Sequence, residues 1–260
     1  MRFPIYQVDA FSQNLFAGNP AAICPLDAWI PDGHMQSIAA ENNLAETAFF
    51  VPNDGRFQLR WFTPAVEVDL CGHATLASAY VLMTKLGWTE PCVRFDTKSG
   101  ELIVSRNGDL LSMDFPARAP EPCEVHPDLL PSLGGKPENV LAARDYLVVY
   151  GSESEVRGLT PDLERLKQVD RFAVIVTAPG DTVDFVSRFF APSKGVPEDP
   201  VTGSAHCTLI PYWSARLGKK DLHALQVSKR GGELWCQSNS DRVKISGYAV
   251  CFLEGTIEVG

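Results

Sequence analysis

Two long segments of the chain are apolar around nearly their whole circumference. They are His73–Leu86 and Ser204–Leu217, and a glycine, Gly87 or Gly218, follows each of them. A helix without a polar face must be covered on every side, and a glycine just beyond the last turn is typical of a helix C-terminus. The pattern therefore predicts two buried helices of equal length.

Shorter apolar segments between turn signals predict the strands that cover these helices. The predicted strands are Phe3–Val8, Thr47–Val51, Phe57–Phe62, Val93–Val104, Leu110–Phe115, Tyr146–Tyr150, Ala173–Thr177 and Val183–Phe190, and more strands lie between Leu225 and Val259. Asp54-Gly55 predicts a hairpin. A further helix is predicted over Asp32–Asn42 with Asp32 as its N-cap, and another is predicted to begin at Thr160-Pro161. Sheet strands around one apolar helix in each half predict an α+β fold.

A weak internal repeat supports the division into halves. Residues 60–64, Arg-Trp-Phe-Thr-Pro, return as Arg-Phe-Phe-Ala-Pro at residues 188–192, and scattered identities continue to residues 109 and 241. We predict two similar domains, residues 1–116 and 123–260, that arose by internal duplication and are joined by a linker. The final strand could pair back onto the first half. Two related halves favour a small-molecule site in the cleft between them.

Composition narrows the function classes. The 260 residues carry a net charge of −9, which argues against binding to a phosphate backbone. No run of 18 apolar residues predicts a membrane span, and the N-terminus lacks the apolar core of a signal peptide. Seven cysteines without a C-x-x-C pair favour reduced thiols over disulfides or structural zinc. We expect a cytoplasmic protein without nucleic-acid or membrane partners.

The two buried helices begin at Gly72 and Gly203. Helix N-termini present free N–H groups and a partial positive charge, so both could hold a carboxylate or a developing enolate. Equally, the two glycines could simply allow tight strand-to-helix turns. The pattern alone leaves both interpretations open.

Several titratable residues lie near these helix starts or beside apolar strands. Glu46 precedes an apolar strand, where a carboxylate suits general acid–base catalysis, although most single glutamates are exposed loop residues. Asp199 could act in catalysis or stabilise a turn. His73 could titrate near neutral pH or cap its helix. For His206, a structural role and a catalytic role are equally consistent with the sequence. No spacing predicts a metal site.

Cys71 precedes Gly72 at a helix start, where the pKa of a thiol can be lowered. A racemase with two thiol bases needs a second cysteine at the equivalent position of the repeat, and Thr202 stands there. Symmetric two-thiol chemistry is therefore disfavoured, and Cys71 is predicted to be a small buried residue.

Six motifs in order give the chain a resemblance to the PhzF-like family of phenazine-biosynthesis isomerases. They are Val8-Asp9-Ala10-Phe11, Gly18-Asn19-Pro20-Ala21-Ala22, Asn43-Leu44-Ala45-Glu46-Thr47-Ala48-Phe49, Phe62-Thr63-Pro64, Cys71-Gly72-His73-Ala74-Thr75 and Glu198-Asp199-Pro200-Val201-Thr202-Gly203-Ser204-Ala205-His206. The resemblance runs essentially end to end. It implies a diaminopimelate-epimerase-like fold of two similar domains, each a sheet rolled around a central helix, in a homodimer. One departure is Ala45, where relatives often carry serine.

The resemblance also implies a cofactor-free and metal-free site with roles for particular residues. It places the catalytic glutamate on Glu46, with His73, Asp199 and Ser204 as supporting residues. It places the backbone amides that meet the substrate carboxylate on Gly72 and Gly203.

We therefore expect an isomerase that moves a proton between carbons of a small carboxylated substrate. Two alternatives stay open at this point. One is a racemase or epimerase with the same fold, and the other is a relative that binds a small ligand without turnover. The sequence does not identify the substrate.

Overall fold

Packing divides the chain into two units in this structure, a computed structural model that describes residues 1–259. The first unit is Met1–Asp114 together with the chain from Ser246 onwards, and the second is Phe115–Ile245. The sequence predicts a second half of residues 123–260 whose final strand could pair back onto the first half, and the structure groups that strand with the first unit. The reason is its antiparallel pairing with the first strand, from Arg2 opposite Glu258 to Ala10 opposite Ala249.

The first unit contains the five predicted strands between Phe3 and Phe115 and two helices. In chain order its elements are β1 (Arg2–Ala10), β2 (Asn19–Pro25), α1 (Asp32–Asn42), β3 (Glu46–Asn53), β4 (Arg56–Phe62), β5 (Glu67–Val68), α2 (Gly72–Thr84), β6 (Cys92–Thr97), β7 (Gly100–Asn107) and β8 (Leu110–Pro116), the last of which crosses into the second unit. The C-terminal strand β18 (Ala249–Glu258) completes this unit.

The second unit also consists of strands around one long helix, and it has additional short helices. Its elements are β9 (Glu121–Pro122), α3 (Leu129–Leu133), β10 (Asn139–Ala142), β11 (Tyr146–Val149), α4 (Glu153–Gly158), α5 (Leu163–Leu166), β12 (Val174–Pro179), β13 (Phe185–Ala191), a 3-10 turn (Pro192–Lys194), β14 (Val196–Asp199), α6 (Gly203–Leu217), β15 (Asp221–Gln226), β16 (Gly232–Asn239) and β17 (Arg242–Gly247), which leads back to the first unit.

The two units repeat one order of strand pairing. In the first, β2 pairs in parallel with β3, β3 is antiparallel to β4, and β4 pairs in parallel with β6 beyond the helix. In the second, β11, β12, β13 and β15 follow the same order and the same directions. This agreement supports the internal duplication, and it gives each unit one helix between two equivalent strands.

Each central helix is buried, as its sequence predicts. In α2, every residue from His73 to Ala79 is buried, and the helix packs against β1, β2, β3 and β7. In α6, eight residues are buried, including Trp213, and the helix packs against β15 and β16. A helix apolar on all sides is stable here because strands surround it.

Some element boundaries differ from the sequence-based expectation. The predicted strand Val93–Val104 is two antiparallel strands, β6 and β7, because the chain turns between Thr97 and Gly100. The helix expected at Thr160-Pro161 begins at Leu163, because Asp162 accepts a hydrogen bond from the Arg165 amide and so acts as the N-cap.

Two helix ends and one hairpin also test the sequence signals. Asp32 is the first residue of α1, and its N-cap is Pro31 rather than Asp32. The helix α2 ends at Thr84 with Lys85 as its cap, before the expected Gly87. The hairpin at Asp54-Gly55 is confirmed, since both residues have positive φ, as a type I′ turn requires. No helix in the described part of the chain is long and apolar enough to cross a membrane.

Candidate active site

Glu46 occupies the first position of β3, where the chain turns out of helix α1. Asn43 caps that helix in the left-handed conformation, with φ 49°, which suits asparagine better than most residues. Glu46 then pairs in parallel with Ala21 of β2. Its side chain is 19% exposed, so one carboxylate lies at the edge of the sheet and is mostly shielded from water.

His73 faces that carboxylate from the start of helix α2. Its Nε2 atom lies 3.2 Å from Oε2 of Glu46, a close contact between a potential ion pair that does not meet the geometry of a hydrogen bond. His73 is itself buried. A buried imidazole beside a carboxylate is a common arrangement of groups that exchange protons.

The second ring nitrogen of His73 has two further neighbours. Nδ2 of Asn19 lies 3.2 Å from Nδ1 of His73, and Sγ of Cys71 lies 3.5 Å from the same nitrogen. The side-chain amide of Asn19 offers a donor on one side and an acceptor on the other. It can therefore contact either the neutral or the protonated ring.

Gly18 brings Asn19 to this position. It has φ +69°, and a Cβ added there would lie 2.2 Å from the carbonyl oxygen of Ala10. Only glycine fits this combination of backbone conformation and close approach. Asn19 then begins β2 fully buried. Asn19 has no role predicted from the sequence, although it belongs to one of the motifs that carry the resemblance.

Burial and charge move the pKa values of this group in definite directions. Burial lowers the pKa of His73, but the neighbouring Cys71 and Glu46 raise it by more, and the net result lies well above the usual value of 6.5. Burial also raises the pKa of Cys71, and the Glu46 carboxylate adds to that effect. Of the two neighbours that raise the pKa of His73, Glu46 is a carboxylate, and its negative charge favours the protonated ring.

Three side chains here each offer an atom that could bind a metal ion, and these atoms lie within 4.8 Å of one another; they belong to Glu46, Cys71 and His73. The sequence does not predict this set of possible metal ligands, because the three residues lack a recognisable spacing. The sulfur lies beside Nδ1 and the carboxylate beside Nε2. A metal binds one imidazole nitrogen along its lone pair. The observed positions therefore suit proton transfer through the ring better than ligation of one ion.

The second unit holds the other predicted site residues around the start of helix α6. Oδ2 of Asp199, at the end of β14, accepts a hydrogen bond from the Thr202 hydroxyl. Gln226 fixes the turn between them, since its Oε1 accepts from the Thr202 amide at 2.8 Å and its Nε2 donates to the Asp199 carbonyl at 2.8 Å. Gln226 is fully buried. The turn that carries Asp199 is therefore rigidly held.

Gly203 and Ser204 are the first two residues of α6. The N-cap Thr202 makes no side-chain bond to the helix, and the first amides of any α-helix have no partner within it. Oγ of Ser204 accepts a hydrogen bond from Arg144 Nη2 at 3.2 Å. Arg144 is a neighbour that the sequence does not predict, because it lies 60 positions away along the chain.

His206 has a structural role. It is completely buried, its Nδ1 lies 2.9 Å from the Thr202 carbonyl oxygen, and burial lowers its pKa to about 4. A neutral ring that donates to a carbonyl one turn back supports the start of α6. The structure thus brings together Glu46 and His73 in one unit, with Gly72 beside His73 along the chain. It gathers Asp199, Gly203 and Ser204 in the other.

Comparisons with known proteins identify close relatives of this chain. A family model described as phenazine biosynthesis-like protein, PhzC-PhzF, matches residues 8–255. A protein of Pseudomonas aeruginosa named an uncharacterized isomerase is 55% identical over 259 residues, which cover 100% of both chains. A crystal structure of a PhzF-family phenazine biosynthesis protein from Enterococcus faecalis matches with a TM-score of 0.98 and 46% identity, and it covers 100% of both chains.

A more distant match concerns the fold alone. A hydroxyproline epimerase from Agrobacterium vitis matches with a TM-score of 0.57 and 10% identity, over 98% of this chain and 92% of that one. The two-unit α+β architecture is therefore that of the diaminopimelate-epimerase-like fold, as the sequence predicts.

Proposed function

This chain belongs to the PhzC-PhzF family of phenazine biosynthesis-like proteins, and we propose that it moves a proton between two carbon atoms of a small carboxylated substrate. The chain is an isomerase, like the relatives that share about half of its sequence. This finding argues against the non-catalytic binding protein considered from the sequence. We propose which C–H bond is broken, which is formed, and which residues transfer the proton.

The observation that carries the proposal is the position of Glu46 against His73, with 3.2 Å between Oε2 and Nε2. Glu46 removes a proton from a carbon made acidic by a neighbouring carboxylate or double bond. The electron pair of the broken C–H bond moves into the conjugated system. Glu46 then returns the same proton to a different carbon, and the new C–H bond completes the isomerisation. General acid–base catalysis of this kind contributes about 10²–10⁴-fold.

His73 tunes this carboxylate. Its raised pKa keeps a positive charge beside the Glu46 side chain at neutral pH. When Glu46 becomes protonated, that cation stands beside the developing negative charge of the substrate. No step of this scheme requires a cofactor or a metal ion.

Backbone amides and side chains at the two helix starts would bind the polar groups of the substrate. In the second unit, we assign the Gly203 amide and the Ser204 hydroxyl to its carboxylate, because helix N-termini stabilise negative charge. In the first unit, the Gly72 amide at the start of α2 offers a donor of the same kind. Asp199 would orient an amino or hydroxyl group of the substrate. Its carboxylate is held in place by the Thr202 hydroxyl.

An epimerase is the second candidate, and Cys71 is the observation that favours it. Its sulfur lies 3.5 Å from His73 Nδ1, so a thiol and a carboxylate flank one imidazole. Two observations weigh against it. Thr202, at the equivalent position of the repeat, has a hydroxyl that is bonded to Asp199, and burial raises the pKa of Cys71. A single base, Glu46, is therefore our preferred assignment.

The proposal can be tested before the substrate is known. A panel of small unsaturated and α-hydroxy or α-amino carboxylic acids is screened for a raised unfolding temperature, because a ligand that binds only the folded state stabilises it. Each acid that binds is incubated with the enzyme in deuterated water and followed by proton NMR. We expect at least one acid to move a double bond or to take up deuterium at carbon. Tight binding by several acids with neither change in any of them would contradict the proposal.

A further inference from the structure

A fixed arginine lies beside the predicted substrate-binding serine in the second unit. Arg144 makes a forked pair with its chain neighbour Asp145, with 3.0 Å from Nε to Oδ1 and 2.9 Å from Nη2 to Oδ2. Asp145 is fully buried. A buried carboxylate depends on its cationic partner, and a two-point pair fixes the plane of the guanidinium group. The position of Arg144 is therefore set from within the core.

An aromatic ring restrains the same group from one face. The central carbon of the Arg144 guanidinium lies 4.5 Å from the centre of the Phe172 ring. A planar guanidinium group can stack on an aromatic face, and Nζ of Lys194 lies 5.4 Å from the centre of the same ring. Yet the Arg144 side chain is 33% exposed, and its Nη1 makes no hydrogen bond to the described residues. The Nη1 amino group of this rigidly held guanidinium is thus available to donate to a ligand.

The hydrogen bond from Arg144 to Ser204 decides how that serine can act. Nη2 of Arg144 donates to Oγ of Ser204 at 3.2 Å. A hydroxyl has one proton to give, and a guanidinium accepts none. The Ser204 oxygen therefore takes the acceptor role toward Arg144, and its own proton is free to point to another acceptor. Together, Ser204 and Nη1 of Arg144 present only donors, which is the complement of a carboxylate.

We propose that Arg144 is a positioning residue for the substrate's carboxylate, because it holds Ser204 as a hydrogen-bond donor and adds a fixed positive charge beside it. The inference rests on the proposed role of Ser204 and extends it to a residue of a different loop, between β10 and β11. Asp145 and Phe172 then serve to hold Arg144. The preference that results is for a carboxylate over a neutral group of the same shape.

A purely structural role is the competing explanation. In that case Arg144 only neutralises the buried Asp145, and its loss lowers stability without changing which ligands bind. The two roles separate when a carboxylate and its uncharged amide are compared on the same variant. We take sorbate, a small conjugated carboxylate, and sorbamide as the probes, with binding followed by ultraviolet difference spectra.

The test compares Arg144→Gln, Arg144→Lys and the control Arg165→Gln. Arg165 pairs with Asp128 at 2.7 Å on the surface of the same unit. We expect the wild type and the Arg165 variant to bind sorbate more tightly than sorbamide, and Arg144→Gln to lose about tenfold or more of that preference, since hydrogen bonds to charged groups are strong. Arg144→Lys keeps the charge without the fork and should lose an intermediate share.

Further variants control for unfolding and test whether Arg144 and Ser204 act together. The double variant Arg144→Gln, Asp145→Asn removes the buried charge together with its partner and serves if Arg144→Gln alone unfolds. Ser204→Ala should reduce the preference, and adding it to Arg144→Gln should change little further, because contacting residues are not additive. An unchanged preference in the Arg144 variants, or no preference in the wild type, would overturn the inference. The catalytic assignment is tested by deuterium exchange on Glu46→Gln and not by ligand preference, so its failure is seen separately.

Discussion

Nε2 of His73 lies 3.2 Å from Oε2 of Glu46, in a part of the first unit where the histidine is buried. One partner comes from the start of a strand and the other from the start of a helix. The Cys71 thiol is a further titratable neighbour, with Sγ 3.5 Å from Nδ1 of His73. The protonation of His73 therefore depends on the Glu46 carboxylate.

Removal of the Glu46 carboxylate should lower the pKa of His73. Burial opposes the charge on this ring, and Glu46 and Cys71 outweigh that effect in the native protein, so burial gains influence once the carboxylate is gone. The His73 titration is followed by NMR in the wild type, in Glu46→Gln and in the control Glu41→Gln, whose side chain is exposed. An unchanged His73 pKa in Glu46→Gln would show that the ion pair has no influence on the ring.

Cys71→Ser should reduce turnover by less than about tenfold. The thiol has a raised pKa and is protonated at neutral pH, so it does not act as a base in the single-base scheme. Loss of a true acid–base residue costs about 10²–10⁴-fold. Turnover is measured on an acid identified by the screen above, and a loss in that larger range would favour the epimerase.

The proton transfer should survive treatment with a strong chelator. The Cys71 sulfur and the Glu46 carboxylate lie beside different nitrogens of His73, which suits a chain of proton donors and acceptors. Deuterium exchange is measured on the purified protein before and after dialysis against the chelator. Loss of exchange that added Zn²⁺ restores would mean that the three side chains work as a metal site.

His206 should make the protein less stable in weak acid. Its pKa is lowered by burial from 6.5 to about 4. Between these two pH values the ring binds a proton in the unfolded chain but not in the folded chain. The stabilisation is complete above pH 6.5 and is lost as the pH falls toward 4, and it amounts to about 3 kcal/mol over that window.

The measurement is the free energy of urea unfolding between pH 7.5 and 4, for the wild type and for His206→Gln. The variant lacks the titrating ring, so its stability should fall less steeply across the window. His223→Gln is the matched control, because His223 is partly exposed and pairs with Glu233. Identical slopes for the wild type and His206→Gln would contradict the assignment of a neutral buried ring.

The sequence predicts elements well where one residue or one repeating pattern decides the structure. Helix α1 has the predicted bounds, and the two central helices begin within one residue of them. Errors occur where the local sequence signal for a turn is weak. Nothing marks Lys98-Ser99 as a turn as strongly as Asp54-Gly55 marks the first hairpin, and so the strands β6 and β7 are predicted as one.

The candidate site was predictable only in part, for a physical reason. Glu46, His73, Asp199 and Ser204 stand in motifs that carry the family resemblance, so they could be named from the chain. Their partners are set by packing between distant segments. The Arg144–Ser204 bond spans 60 positions, and the contact of Asn19 with His73 spans 54. No spacing rule connects such residues, and only the folded sheet brings them together.

The most direct test of the account is whether Glu46 itself carries the proton. Wild-type enzyme, Glu46→Gln and the control Glu41→Gln are incubated in deuterated water with the carboxylic acid that the wild type isomerises fastest, and deuterium at carbon is followed by NMR. The glutamine variant keeps the size of the side chain but cannot accept the proton, so its exchange should fall by about 10²–10⁴-fold while the control stays at the wild-type rate. Near wild-type exchange by Glu46→Gln would contradict the central claim.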